Sequence, residues 1–131
     1  MDAVSALTAH QPLHDMTRAA HAAGFWSQGK MGAVREDVGR HNALDKLAGA
    51  LIRQPQGMGA VVITSRVSID MVQKCAAMGV PVLIAVSAPT AAAVTMADAA
   101  GITLVALARP DRFEVFTHMT RITPEEAANV A

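Results

Sequence analysis

Between residues 34 and 46 the chain reads VREDVGRHNALDK. Asp37, Gly39, Arg40, His41 and Asn42 fall where an apolar, strand-like run gives way to helical spacing. A histidine beside a carboxylate can act as acid, base or ligand, so the neighbours Asp37 and His41 form a candidate pair. The plainer alternative for His41 is a capping or structural hydrogen bond. Asp45 and Lys46 follow one helical turn later and are expected to brace the loop. Two more polar segments share this character: TSRVS (64–68), with Thr64, Ser65 and Arg66, and ARPDR (108–112), with Arg109, Pro110, Asp111 and Arg112. SAPT (87–90) adds Ser87 and a helix start. Helix N-termini present free N–H groups to anions, and guanidinium groups fork onto phosphate. Arg40, Arg66, Arg109 and Arg112 therefore point to a phosphorylated ligand. Solvated caps and surface ion pairs, such as Arg109 with Asp111, are the competing reading.

Other chemistries find less support. Cys75 is the sole cysteine and follows Met71 and Val72 at helical spacing, which places it on an apolar face as a structural thiol. No CxxC pair is present, and no His/Cys cluster has zinc-ligand spacing, so neither a catalytic residue nor a metal ligand is assigned. The GxGxxG and GxxxxGK[ST] phosphate loops are also missing. Met58, Met71, Met78 and Met96 read as packing or loop residues.

The elements that position these loops follow from the apolar pattern. AAHAAGFW (19–26) and MGAVR (31–35), joined by SQGK, read as a hairpin. Residues 42–53 carry Leu44, Leu47, Ala48, Leu51 and Ile52 at helical spacing. AVVIT (60–64), VPVLIAV (80–86) and ITLVALA (102–108) are continuous apolar runs typical of strands buried on both faces. Between them, helices are expected over 69–78, capped by Ser68, and over 90–100, started by Thr90, with Gly79 and Gly101 closing them. FEVFT (113–117) alternates as an edge strand does. Residues 2–17 form an irregular or helical lead-in, and TPEEAANV (123–130) has the start signals of a terminal helix. Strands alternating with helices imply an α/β fold whose parallel sheet is covered on both faces. Ligands of such sheets bind beyond the carboxyl ends of the strands, where the polar loops fall.

With 131 residues, the chain suits a single domain, 1–131, and the aromatic content of 3% favours thin, alanine-rich layers over a β-sandwich. The formal net charge is zero, which leaves no basic field for nucleic acid. No apolar run is long enough to span a bilayer, no signal peptide is evident, and a single cysteine suits a reducing compartment, so a cytoplasmic setting is expected.

The long segments REDVGRHNALDKL, TSRVSIDMVQKCAAMGVPVLIAVSAPTAAAV and GITLVALARPDRFEVFTH strongly resemble the FdhD family of formate dehydrogenase accessory sulfurtransferases, in register from about Gln11 to His118. The resemblance implies a three-layer α/β/α, cytidine-deaminase-like mixed sheet without that enzyme's zinc site. It implies that the protein binds the molybdenum bis(molybdopterin guanine dinucleotide) cofactor and supports its sulfuration for formate dehydrogenase, with a cysteine desulfurase as sulfur donor and a homodimer as the working unit. The family's cofactor-binding segment falls on Leu107, Ala108, Arg109, Pro110, Asp111 and Arg112. GDP should then mimic one end of the cofactor. The family's persulfide-bearing CxxC lies before the matching region and is not in this chain. Where the family reads TGG-x-HAA, this chain has TRAAHAA (17–23). The alternative is a non-catalytic nucleotide- or cofactor-binding module of the same fold, and a zinc deaminase is a weaker third reading. Under the first reading the loops 36–42, 64–68 and 108–112 line one pocket. Asp37 and His41 orient polar groups, and Gly39 allows close backbone approach. Asn42 starts the helix, and Arg109 and Arg112 contact phosphate. Asp111 pairs with guanine or holds Arg112.

Overall fold

The computed structural model describes Ala3, Ala6 and residues 21–55, 57–109 and 112–119. Most of the expected lead-in, the terminal helix and the pair Pro110 and Asp111 lie outside these residues. The hairpin forms as expected, from β1 (His21–Ser27) and β2 (Lys30–Asp37). Its turn holds both Gln28 and Gly29 at positive φ, 52° and 76°. That pair of angles is the two-residue turn whose twist matches the flanking strands. The chain continues through α1 (Arg40–Arg53), β3 (Ala60–Ile63), α2 (Ile69–Ala77), β4 (Val82–Ala85), α3 (Ala91–Ala100), β5 (Thr103–Arg109) and β6 (Arg112–Val115).

The six strands form one mixed sheet in the order β2-β1-β3-β4-β5-β6. Strands β3, β4 and β5 run parallel, β1 is antiparallel to both β2 and β3, and β6 is antiparallel to β5. The fold is therefore α/β, as the sequence indicates, with antiparallel strands added at both sides of the parallel core.

Side chains alternate between two apolar clusters, because successive strand residues point to opposite faces. One cluster joins Val61, Ile63, Leu83, Ala85, Leu104 and Ala106 to Ala43, Leu44 and Leu47 of α1, Met71, Val72 and Cys75 of α2, and Ala93 and Ala97 of α3. All three helices thus cover the same face. Alanines on α1 and α3 let these helices approach the sheet closely. Leu44 and Leu47 are fully buried, and burying a leucine contributes roughly 1.5–3 kcal/mol. The opposite cluster contains Ala22, Ala60, Val62, Ile84, Val105 and Ala108, flanked by Trp26, Met31, Val34, Phe113 and Val115. Of the described residues outside the sheet, Ala3, helical and fully buried, packs on this second face.

Candidate functional site

The strand directions decide where the polar loops go. The carboxyl ends of β3, β4 and β5 lie together because the strands are parallel. Since β1 opposes β3, its first residue His21 lies at that same end. Strand β2 opposes β1 and finishes there, with Asp37 paired to His21. The loops after β2, β3, β4 and β5 therefore share one end of the sheet.

A continuous set of hydrogen bonds laces this end together. The Ala22 N–H donates to Thr64 Oγ1 at 3.0 Å, and the Thr64 N–H donates to the Ala22 carbonyl at 3.1 Å. Ser87 Oγ donates to the Thr64 carbonyl at 3.1 Å, and the Leu107 N–H donates to the Ser87 carbonyl at 3.3 Å. Arg109 closes the series by donating from Nη1 to the Val86 carbonyl at 2.7 Å and to its neighbour Ala108 at 2.9 Å. The loops after β3 and β4 are further joined by a bridge between Val67 and Pro89. Thr64, Ser87 and Arg109, all expected on the ligand, thus serve first as braces. Ser65 is only 3% exposed, which withdraws it from the surface.

Strand β5 is irregular here. Its register against β6 shifts between Ala106 and Arg109, and Leu107 sits inside the shift with φ at 54°. A bulge of this kind re-aims the side chains that follow it. A cavity of about 340 Å³ opens beside it, lined by Leu107, Arg109, Arg112, Phe113 and Glu114.

The segment after β2 departs from expectation in three respects. The helix begins at Arg40 with Gly39 as its cap residue, so Asn42 already lies in the first turn. Asp37 supplies the missing polar cap: its Oδ1 accepts from the Gly39 N–H at 2.9 Å, with Asn42 Nδ2 at 3.5 Å. Its Oδ2 lies 2.7 Å from Lys46 Nζ, which also donates to the Glu36 carbonyl at 3.1 Å. Lys46, then the Gly39 N–H, hold the Asp37 carboxyl below its ordinary value of 3.8. Second, Asp37 does not orient His41. His41 instead lines a cleft of about 410 Å³ with Asp70, Gln73, Lys74 and Ala77 of α2. Third, Lys46 braces the loop as expected, but Asp45 points away and pairs with Lys74 at 2.6 Å. Gly39 does fit a tight spot, since a Cβ there would stand 3.2 Å from Asn42 Nδ2.

Three expected contacts keep their donors. Arg40, Arg66 and Arg112 are exposed, and among the described residues their side chains make no hydrogen bond or ion pair. Each guanidinium keeps five N–H donors for an outside acceptor. Ser68 precedes α2 as expected, yet its hydroxyl makes no cap bond. Its Oγ is buried and unpartnered. These features fit an oxygen-rich anion at the strand ends, although Asp70 in the first turn of α2 opposes negative charge at that helix.

Cys75 is fully buried, and desolvation pushes its thiol up to about 12. Among the described residues no three His, Cys, Asp or Glu side chains gather as a metal site, and no helix is long and apolar enough to cross a membrane.

Comparison with known proteins bears directly on this arrangement. The model of the FdhD/NarQ family matches residues 1–123. A sulfur carrier protein FdhD from Agrobacterium fabrum is 58% identical over 124 residues, which are 92% of this chain and 45% of that protein. Proteins of the same name from Brucella abortus and Xanthomonas campestris are 55% and 50% identical, again over 92% of this chain. The chain spans about half the length of these relatives. A crystal structure from Desulfotalea psychrophila, of a protein provisionally described as a formate dehydrogenase accessory protein, superposes with a TM-score of 0.86 at 37% identity. It covers 93% of this chain and 53% of that one.

Proposed function

The chain belongs to the FdhD/NarQ family, and from that premise we propose that it is the cofactor-binding part of a formate dehydrogenase accessory protein. Its ligand is the molybdenum bis(molybdopterin guanine dinucleotide) cofactor, handled as cargo on its way to formate dehydrogenase. Relatives named as sulfur carriers and a structural neighbour described as a formate dehydrogenase accessory protein support the accessory role. The observation that carries the ligand reading is the set of exposed, uncommitted guanidinium groups at the strand ends. Arg40, Arg66 and Arg112 contact the phosphates. The backbone of Leu107 and Ala108 lines the approach, and Arg109 holds the loop after β4 in place. Asp37 and Lys46 fix the start of α1, so that Arg40 is presented from a rigid turn.

Sulfur handling is assigned differently. The buried Cys75 thiol, held protonated, is a poor acceptor of persulfide, because the thiolate is the reactive form. This chain contributes binding and positioning, and the sulfur supplied by a cysteine desulfurase travels on other cysteines. A second copy of the chain completes the working assembly.

Calorimetric titration with GDP tests the ligand reading. Arg66→Ala and Arg112→Ala each remove a side chain with no bond to lose inside the described fold, so a weakened affinity reports on ligand contact. A charge-assisted contact is worth roughly 1.5–3 kcal/mol, or about 10- to 100-fold in affinity. Lys30→Ala is the control, since Lys30 begins β2 at the far end of the sheet. Binding by the wild type is expected to weaken with added salt. Failure of the folded wild type to bind GDP, or wild-type affinity in both arginine variants, would overturn the assignment.

A further inference from the structure

The end of the sheet opposite the polar loops has a different character. Strands β3 and β4 begin there, α1 and α2 finish there, and the hairpin turn at Gln28 and Gly29 lies at the same end. Two clefts open side by side. One, of about 230 Å³, is lined by Phe25, Met58, Val80 and Pro81 together with Leu51 and Met78. The other, of about 390 Å³, lies between α1 and α2, where Ala48, Ile52 and Ala77 join the same Leu51 and Met78. The shared pair makes the clefts neighbours. Ile52 is 80% exposed and Met58 75%, so each cleft includes a large apolar side chain that the described fold leaves in water.

The formal charge at this end is one-sided. Lys30 begins β2 and Arg53 ends α1. Both are exposed, and among the described residues their side chains make no hydrogen bond or ion pair. The acid at this end, among the described residues, is Asp98 in the last turn of α3, and it lies beside His118. The carbonyl ends of α1 and α2 carry about half a negative charge each, less than the two cations together. Apolar hollows beside uncommitted cations complement an apolar surface that carries carboxylates. Shape narrows the choice further. On a helix, side chains four residues apart stand about 6 Å from each other on one face, which suits two adjoining clefts. A flat lipid surface would leave both hollows unfilled.

We propose that the foot of α1 and α2 is a docking surface for an acidic amphipathic helix of a partner protein. That helix sets two apolar side chains, four residues apart, into the adjoining clefts and turns carboxylates toward Lys30 and Arg53. This is the helix-in-groove mode of recognition, in which apolar anchors supply affinity and flanking charge supplies selectivity. Docking here leaves the loops at the other end of the sheet uncovered.

The probe is a labelled synthetic peptide of about 15 residues, long enough to hold a helix, with leucines four apart on one face and glutamates beside them. Its fluorescence anisotropy is followed as the full chain is added. Wild type is expected to bind it with a Kd below about 1 mM. Lysines in place of the glutamates, or alanines in place of the leucines, are each expected to weaken binding by roughly tenfold or more. Ile52→Asn, at an exposed position, is expected to weaken the glutamate peptide to a similar degree. The double variant Lys30→Glu, Arg53→Glu is expected to prefer the lysine peptide. Circular dichroism verifies the fold of each variant. GDP affinity is expected to stay at its wild-type value in all of them, because the substituted residues stand at the opposite end of the sheet, so the two titrations succeed or fail separately. No binding of the glutamate peptide at millimolar concentration, equal affinity for the glutamate and lysine peptides, or variants that bind like wild type would overturn the proposal. So would an Ile52→Asn protein that breaks up a wild-type oligomer in sedimentation velocity, since a second copy would then cover this face.

Discussion

Replacing Thr64 by valine removes one oxygen and changes little else in shape. That oxygen accepts the Ala22 N–H at 3.0 Å, and Ala22 is only 2% exposed, so water has no ready route to the stranded donor. A buried N–H left without a partner costs about 1–3 kcal/mol. The new methyl group returns at most about 0.8 kcal/mol, because the site is half-buried. A net loss of about 1–2 kcal/mol is expected. The backbone bond from the Thr64 N–H to the Ala22 carbonyl remains in the variant, which confines the change to the side chain. Thr64→Ser keeps the acceptor and should stay within about 0.5 kcal/mol of wild type. Urea denaturation reads both: the Thr64→Val midpoint falls while the slope stays constant, since the surface exposed on unfolding is unchanged. If Thr64→Val matches Thr64→Ser, the Ala22 donor has another partner, and the brace between β1 and the loop after β3 is not what orders this end of the sheet.

Further outcomes follow from the same geometry. Cys75 should resist alkylation at pH 8 in the folded protein and react on unfolding, as mass spectrometry can show. Because its pKa rises from 9.0 to about 12 on folding, its effect on stability is absent below pH 9 and becomes a progressive loss as pH climbs toward 12, since only the unfolded thiol ionises there. Asp37 has the opposite sign. Its folded pKa lies below 3.8, so its contribution is complete at neutral pH and disappears as pH falls through and below that value. Asp37→Asn should flatten this part of the urea-midpoint profile. Gly59→Ala would set a Cβ 2.4 Å from the Trp26 carbonyl oxygen and 2.9 Å from Phe25 Cζ. Overpacking of that kind costs typically about 1–3 kcal/mol, to be read from the urea midpoint.

The order of strands and helices was legible because its signals are local. Three β-branched or leucine-rich runs marked the parallel strands, and the Gln28–Gly29 turn marked the hairpin. Glycines at 79 and 101, with φ at 72° and 73°, closed α2 and α3 where the spacing ended. Convergence of the polar loops on one sheet end also followed, since it needs only strand direction. What escaped was decided by side chains reaching across that end. Asn42 looked like a cap, but Asp37 reached Gly39 first and moved the helix start. Thr64, Ser87 and Arg109 looked like ligand contacts, yet they bond to backbone on neighbouring strands distant in sequence. The bulge at Leu107 had no signal at all, because neither glycine nor asparagine stands there.

That leucine has a consequence for how the chain tolerates change. Holding a residue with a Cβ at a φ of 54° costs about 1–2 kcal/mol relative to glycine. Glycine or asparagine would therefore relax the backbone at position 107, while valine, isoleucine and threonine would be excluded by their branched Cβ. In a saturation library sorted only for folded protein, position 107 should be depleted of its usual strand formers and enriched in turn formers, inverting the preference of the buried positions of β5. A second sort for GDP retention would bring leucine back if its side chain, rather than its backbone, is what the position is kept for.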